Sequence, residues 1–173
     1  MSDTLECISC RKLKANLSCG ICEEPVCRQC AEFLDAGTFP FLAVVPEKLK
    51  HPYYCPRCFD AEVAPVREQY EQKVAEARGV YVFFVTQKRA IPLIAKAKNV
   101  VRVEGCSDRN ETILRLGFLA AEQSFNALVQ VEVTSEKVRN AGYQTSAWKG
   151  VGLPAKVDPL KIDREYARDQ LFE

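Results

Sequence analysis

The chain has 173 residues, enough for one domain or two small ones. Apolar residues make up 47% and charged residues 27%, the balance of a globular protein rather than a disordered one. The formal net charge of +1 provides no overall basic field to draw the protein onto nucleic acid or anionic lipid. The start, Met1-Ser2-Asp3-Thr4-Leu5-Glu6, is acidic and carries no apolar stretch of the signal-peptide kind. Phe39 to Val45, the longest apolar run, is interrupted by Pro40 and is too short to span a bilayer. The expectation is a soluble, cytoplasmic protein.

Nine cysteines carry most of the information. Eight form four Cys-x-x-Cys pairs: Cys7/Cys10, Cys19/Cys22, Cys27/Cys30 and Cys55/Cys58, with Cys106 left over. Disulfide frameworks belong mainly to short secreted chains, and in a reducing compartment such pairs read as metal ligands. A two-residue gap lets a tight knuckle aim both sulfurs at one ion, and zinc takes four such ligands tetrahedrally. Eight thiolates make two complete sites with no position left for water, so two structural zinc ions are expected. A segment of about 60 residues buries too little apolar surface to fold comfortably alone. Structural zinc contributes roughly 10–16 kcal/mol to such units.

The pairs are separated by eight, four and 24 residues. Pro25 in the shortest gap supports a hairpin turn, which brings the second and third pairs close without making them obvious partners. The whole succession, and above all Cys19-Gly-Ile-Cys-Glu-Glu-Pro-Val-Cys-Arg-Gln-Cys30, resembles the cross-braced zinc fingers of the FYVE and rabphilin type. That resemblance implies a small treble-clef-like double-zinc domain over residues 1–60. It also implies that Cys7, Cys10, Cys27 and Cys30 hold one zinc, and that Cys19, Cys22, Cys55 and Cys58 hold the other. The basic cluster with which FYVE domains grip phosphoinositide is missing, because Glu23 and Glu24 occupy the turn. A RING-type Cys-x-His is missing too. The sole histidine, His51, reads as a polar loop residue. Phe39–Val45 reads as core for the metal-nucleated unit, with a membrane-inserting loop as the alternative.

Beyond Cys58 the composition changes. Val63, Val66, Tyr70, Val74 and Ala77 form one apolar stripe at helical spacing, with Pro65 suited to a first turn and Gly79 to a stop. The expectation over residues 61–79 is a linker helix. Val80 to Thr86 and Asn99 to Gly105 read as strands. Asp108 and Glu111 form a capping-box-like start for a helix expected to bury Ile113, Leu114, Leu116 or Gly117, Leu119 or Ala120, and Ala121. Asn126 turns the chain into a strand from Ala127 to Val133, in which alternation sets Leu128 opposite to Val129, Val131 and Val133. A last strand from Tyr143 to Lys149 is ended by Gly150, Gly152 and Pro154.

This order predicts an α+β fold: a compact antiparallel ββαββ-type domain over residues 80–160, with a helix on one face, followed by a short amphipathic tail over 161–173. The join of Leu119-Ala-Ala-Glu-Gln123 to Asn126-Ala-Leu-Val-Gln-Val-Glu-Val133 is similar to the YbjQ-type (heavy-metal-binding-domain-like) family, as is the end Trp148-Lys-Gly-Val-Gly-Leu-Pro154. That likeness implies a small oligomeric domain without established catalysis.

Cys106, at a helix start, reads as a packing residue, because no histidine partner lies near it in sequence. No phosphate-binding or metalloprotease motif is present, so no catalytic residue and no enzyme activity are expected. Lys88, Arg89, Lys96, Lys98 and Arg102 form a basic run without an acid between Thr86 and Val103. It lacks the aromatic residues that would stack on single-stranded nucleic acid. The reading is a zinc-binding interaction or scaffold protein whose α+β domain assembles it into a homo-oligomer. A peripheral membrane adaptor of FYVE-like type and a nucleic-acid-binding zinc protein are the alternatives.

Overall fold

A computed structural model describes residues 5–88, 90–140 and 143–162. The expected amphipathic tail lies almost wholly outside the described residues. The chain is mixed α+β, with several two-stranded sheets, one larger sheet and few helices. It divides into two compact units, Met1–Glu71 and Gln72–Glu173. Among the described residues no helix is long and apolar enough to cross a membrane.

The first unit is built from very short pieces. β1 (Leu5–Glu6) pairs with β2 (Leu13–Ala15), β3 (Leu17–Ser18) with β4 (Pro25–Val26), and β5 (Glu32–Phe33) with β6 (Tyr53–Tyr54), all antiparallel. Its buried side chains include Val26, Leu34, Phe39, Leu49, Tyr54, Val63 and Tyr70. The apolar run Phe39–Val45 is split between core and solvent. Phe39 is buried edge-on against the Tyr70 ring, centroids 5.1 Å apart, whereas Val44 is 79% exposed.

The predicted linker helix starts earlier than its stripe indicates. A helical turn α1 (Pro56–Cys58) runs into a π-helical turn, Phe59–Val63, and then into α2 (Ala64–Arg78). Pro65 therefore lies inside a longer helix rather than in its first turn. It has no N–H to give to residue 61, and the widened turn just before it, where Ala64 N–H reaches back to Phe59 O, accommodates the ring. Val63, Tyr70 and Ala77 of the stripe are buried.

In the second unit the sheet has five strands rather than four and is not wholly antiparallel. Its strands are β7 (Tyr81–Phe84), β8 (Leu93–Lys96), β9 (Val101–Cys106), β10 (Ala127–Asn140) and β11 (Tyr143–Val157). β7 pairs with β10 in parallel, β10 with β11 antiparallel, and β8 and β9 share the far side of β11. β7 and β10 can run parallel because β8, β9 and α3 (Arg109–Glu122) lie between them in sequence, ample length for a crossover. β8 is invisible to pattern reading because all four of its residues are exposed and none alternates.

β11 also runs through Gly150, Gly152 and Pro154 instead of ending before them. A Cβ on Gly150 would lie 2.6 Å from Thr112 Cγ2 and 2.9 Å from Leu116 Cδ1, so glycine there admits α3 against the sheet. Pro154 C=O accepts from Ala97 N–H at 2.8 Å. The side of Pro154 that lacks an N–H therefore faces the place where the neighbour of β11 changes from β9 to β8.

The helix start forms as a variant of the capping box: the N-cap Asp108 accepts from Glu111 N–H at 2.8 Å, and Glu111 reaches back one residue beyond the N-cap, accepting from Ser107 N–H at 2.7 Å. One face of α3 buries Ile113, Leu116, Ala120 and Ala121 against Val80, Val82, Val101, Leu128 and Val131. Phe83, Ala127, Val129, Ala155 and Val157 form a second core on the other face of the sheet. Asn126 closes this end, accepting from Val157 N–H at 2.9 Å and donating to Val157 O at 3.1 Å.

Leu128 thus shares its face with Val131, and Val133 packs on the same side, contrary to the alternation expected from sequence. Gln130 is the cause. Its φ of 53° places it in the left-handed region, and the pairing of β10 with both β7 and β11 shifts register around it. The bulge resets the phase of the strand, so the residues after it point the other way.

Deleting Gln130 should turn Val131 and Val133 away from α3 and abolish the cooperative unfolding transition of the second unit, since the lost burial is worth about 3 kcal/mol. Gln130→Gly should instead hold or raise the unfolding free energy measured by urea titration, by up to about 1 kcal/mol, because glycine adopts positive φ without strain.

Candidate metal centres

The eight paired cysteines converge in two groups, Cys7, Cys10, Cys27 and Cys30 in one and Cys19, Cys22, Cys55 and Cys58 in the other. Within each group the four Sγ atoms lie within 4.8 Å of one another. Cys10 and Cys27 sulfurs are 3.9 Å apart, as are those of Cys22 and Cys55. Four sulfurs arranged tetrahedrally around a metal at about 2.3 Å stand about 3.8 Å from each other. The spacing fits a metal–thiolate centre and is far too long for a disulfide. Each group could hold one metal ion, and four sulfur donors close its coordination.

Local backbone geometry explains how each sulfur pair is aimed. The first two knuckles repeat one design. Cys7 N–H donates to Lys12 O and Arg11 N–H to Cys7 O; Cys19 N–H donates to Glu24 O and Glu23 N–H to Cys19 O, all between 2.9 and 3.0 Å. Arg11 and Glu23, the residues just after each second cysteine, adopt φ of 60° and 61°. That conformation ordinarily favours glycine, so the repeat is hidden in the sequence by Arg and Glu. In the third knuckle Ala31 N–H returns to Cys27 O at 2.9 Å. The fourth opens a helix: Cys55 is the extended N-cap before Pro56, and Cys58 sits in the first turn.

The three small sheets then set the pairing. β1–β2 flanks the first knuckle and β3–β4 the second, while Ile8 N–H donates to Pro25 O at 2.9 Å and ties the two hairpins together. β5–β6 joins the chain leaving Cys30 to the chain entering Cys55. The groups are consequently interleaved along the chain, first knuckle with third and second with fourth.

The thiols are far from equivalent. Burial pushes Cys7 up, but the backbone N–H groups of Cys10, Cys27 and Ser9 outweigh it and hold the thiol at about 6. Cys27 N–H lies 3.4 Å from Cys7 Sγ. In the second group burial likewise raises Cys19, and the N–H groups of Cys55, Cys22 and Ile21 bring it down to about 6. Cys30 is pushed up to about 12 by the Cys27 thiol and by burial, and Cys58 is raised by burial and by the thiols of Cys55, Cys22 and Cys19. Each cluster stabilises a first thiolate with N–H dipoles and resists the last one through crowding of like charge. A cation at the centre removes that resistance.

His51 belongs to neither group. Its role is packing: a Cβ on Gly20 would fall 2.2 Å from His51 Cβ and 2.4 Å from His51 Cγ. Gly20 N–H also donates to Tyr53 O at 2.9 Å. Glycine between Cys19 and Cys22 is therefore required by the close approach of residue 51, a need that sequence spacing does not reveal. Cys106 is buried in the second unit, with its Sγ 3.9 Å from Glu104 O, apart from both groups. The chain matches no protein-family model, no curated protein and no solved structure.

Cys27→Ser and Cys55→Ser should each lower the metal content of the purified chain by one ion, whereas Cys106→Ser should leave it unchanged, as read by elemental analysis. Gly20→Ala should release metal from the second group to a competing chelator roughly tenfold faster, a change of about 1.4 kcal/mol. Adding His51→Gly should restore the original rate, because it removes the atoms that the new methyl meets.

Proposed function

We propose that this is a non-enzymatic, zinc-binding interaction protein, in which two structural zinc ions fold the N-terminal module and the C-terminal α+β domain mediates assembly. The carrying observation is the pair of closed four-sulfur groups within the Met1–Glu71 unit. An all-thiolate tetrahedral donor set favours zinc over harder divalent ions, and it leaves no open position for a catalytic water. The proposed ligands are Cys7, Cys10, Cys27 and Cys30 for one zinc and Cys19, Cys22, Cys55 and Cys58 for the other.

A knuckle on a hairpin combined with a knuckle at a helix start supports a treble-clef-like description of the second centre. The interleaved order is what the FYVE and rabphilin resemblance implies. The acidic turn at Glu23 and Glu24 leaves a phosphoinositide headgroup without a basic grip there, which favours protein over lipid as the partner. For assembly, the supporting feature is the far part of the β10–β11 ribbon. Thr134 through Arg139 are exposed on both faces of the strand, where neither α3 nor another strand covers them. A lone two-stranded ribbon is marginal in water and gains from being packed.

Native mass spectrometry of the purified chain tests both halves. Two zinc ions per chain in a species of more than one subunit is the expected result. Two zinc ions on a monomer would remove the assembly role and keep the zinc module. A metal-free chain with oxidised thiols would overturn the zinc reading.

A further inference from the structure

We infer that Cys22 is an oxidation site, and that peroxide acting there discharges the second metal centre while the first stays loaded. The inference rests on the zinc reading and names a regulation of that site. The two four-sulfur groups differ in what covers them. In the first, Cys7 and Cys27 are buried and Cys10 and Cys30 are half-buried. In the second, Cys19 and Cys55 are buried, Cys58 is half-buried and Cys22 is exposed. Cys22 is the one exposed cysteine among the described residues.

The contrast is sharpest with Cys10, which holds the same place in a knuckle of the same backbone design. Each is followed by a residue at positive φ, Arg11 at 60° and Glu23 at 61°. The knuckle itself therefore does not expose the sulfur; its surroundings do. Cys22 lines an open groove of about 690 Å3 together with Ile8, Ser9, Pro56 and Arg57. The groove lies wholly within the Met1–Glu71 unit, and it gives a solvent-borne reagent a direct approach to this sulfur.

Accessible thiolates that stand next to a second thiol are the ones that peroxide oxidises reversibly. The second thiol is in place: Cys55 Sγ lies 3.9 Å from Cys22 Sγ, and all four sulfurs of the group fall within 4.8 Å of one another. Attack of the Cys22 thiolate on hydrogen peroxide forms an S–O bond and breaks the O–O bond, giving a sulfenic acid and hydroxide. Attack of the Cys55 thiolate on the Cys22 sulfur then forms an S–S bond and breaks the S–O bond, releasing a second hydroxide. Two thiolates have lost two electrons, and the peroxide has taken them up. The centre is left with two of its four thiolates, too few to retain the ion. No cysteine of the first group is exposed to begin the same sequence.

The test uses the full-length chain loaded with two zinc ions, hydrogen peroxide as the probe, a zinc-indicating dye and tandem mass spectrometry. One zinc per chain should be released at least tenfold faster than the other, and dithiothreitol should restore it. Dimedone, which traps sulfenic acids, should label Cys22 before any other cysteine. Cys22→His, which exchanges the thiolate for another zinc ligand, should slow the fast phase at least tenfold, whereas Cys106→Ser should leave it unchanged. If Cys22→His fails to take up two zinc ions, the order of dimedone labelling in the unsubstituted chain decides. Release of both zinc ions at one rate, first labelling at another cysteine, or equally fast release without peroxide would overturn the inference and leave the zinc reading standing. A chain that holds no zinc before peroxide is added would overturn the zinc reading and the inference with it.

Discussion

Gathering four sulfur atoms to within 4.8 Å of one another, twice, is the constraint around which the first 71 residues are arranged. Strands of two or three residues cannot hold themselves together, and the buried side chains of this unit are few. What the short hairpins can do is present knuckles at fixed angles. The reciprocal backbone bonds at Cys7 and Cys19 and the helix start at Cys55 are local solutions to a single problem, that of aiming two sulfurs at one point. Because the two groups are interleaved, an ion held at either centre would crosslink chain segments far apart in sequence.

The second unit rests on a different principle, apolar burial on both faces of a sheet. One face takes α3 and the other takes Phe83, Val129 and Val157. A strand covered on both faces cannot serve the two cores with simple alternation unless its apolar residues fall on both sides. In β10 the bulge at Gln130 reconciles Val129 on one face with Val131 and Val133 on the other. Glycine acts in a complementary way in β11, where Gly150 and Gly152 leave space that Thr112, Leu116, Leu128 and Val131 fill.

The two units also differ in what they leave exposed. Around the cysteines, polar backbone groups are consumed by knuckles and hairpins. In the second unit, no strand among the described residues pairs with the outer side of β8, and the β10–β11 ribbon runs on past α3.

Ligand chemistry was legible in the sequence because it depends on residue type and spacing over a few positions: four Cys-x-x-Cys pairs can be counted without any coordinates. The α2 stripe and the Asp108/Glu111 capping box were legible for the same reason, since helical periodicity and capping are local. The parallel pairing of β7 with β10, the reach of β11 through Gly150 and Pro154, and the existence of β8 were decided elsewhere. Each depends on a neighbour distant in sequence: α3 pressing on Gly150, the change from β9 to β8 beside Pro154, and the edge of β11 that gives β8 its partner. Gly20 makes the same point within the metal unit, because its need for a bare Cα is set by His51, 31 positions away. Local chemistry named the donors, and only tertiary packing fixed which face, which register and which edge the rest of the chain presents.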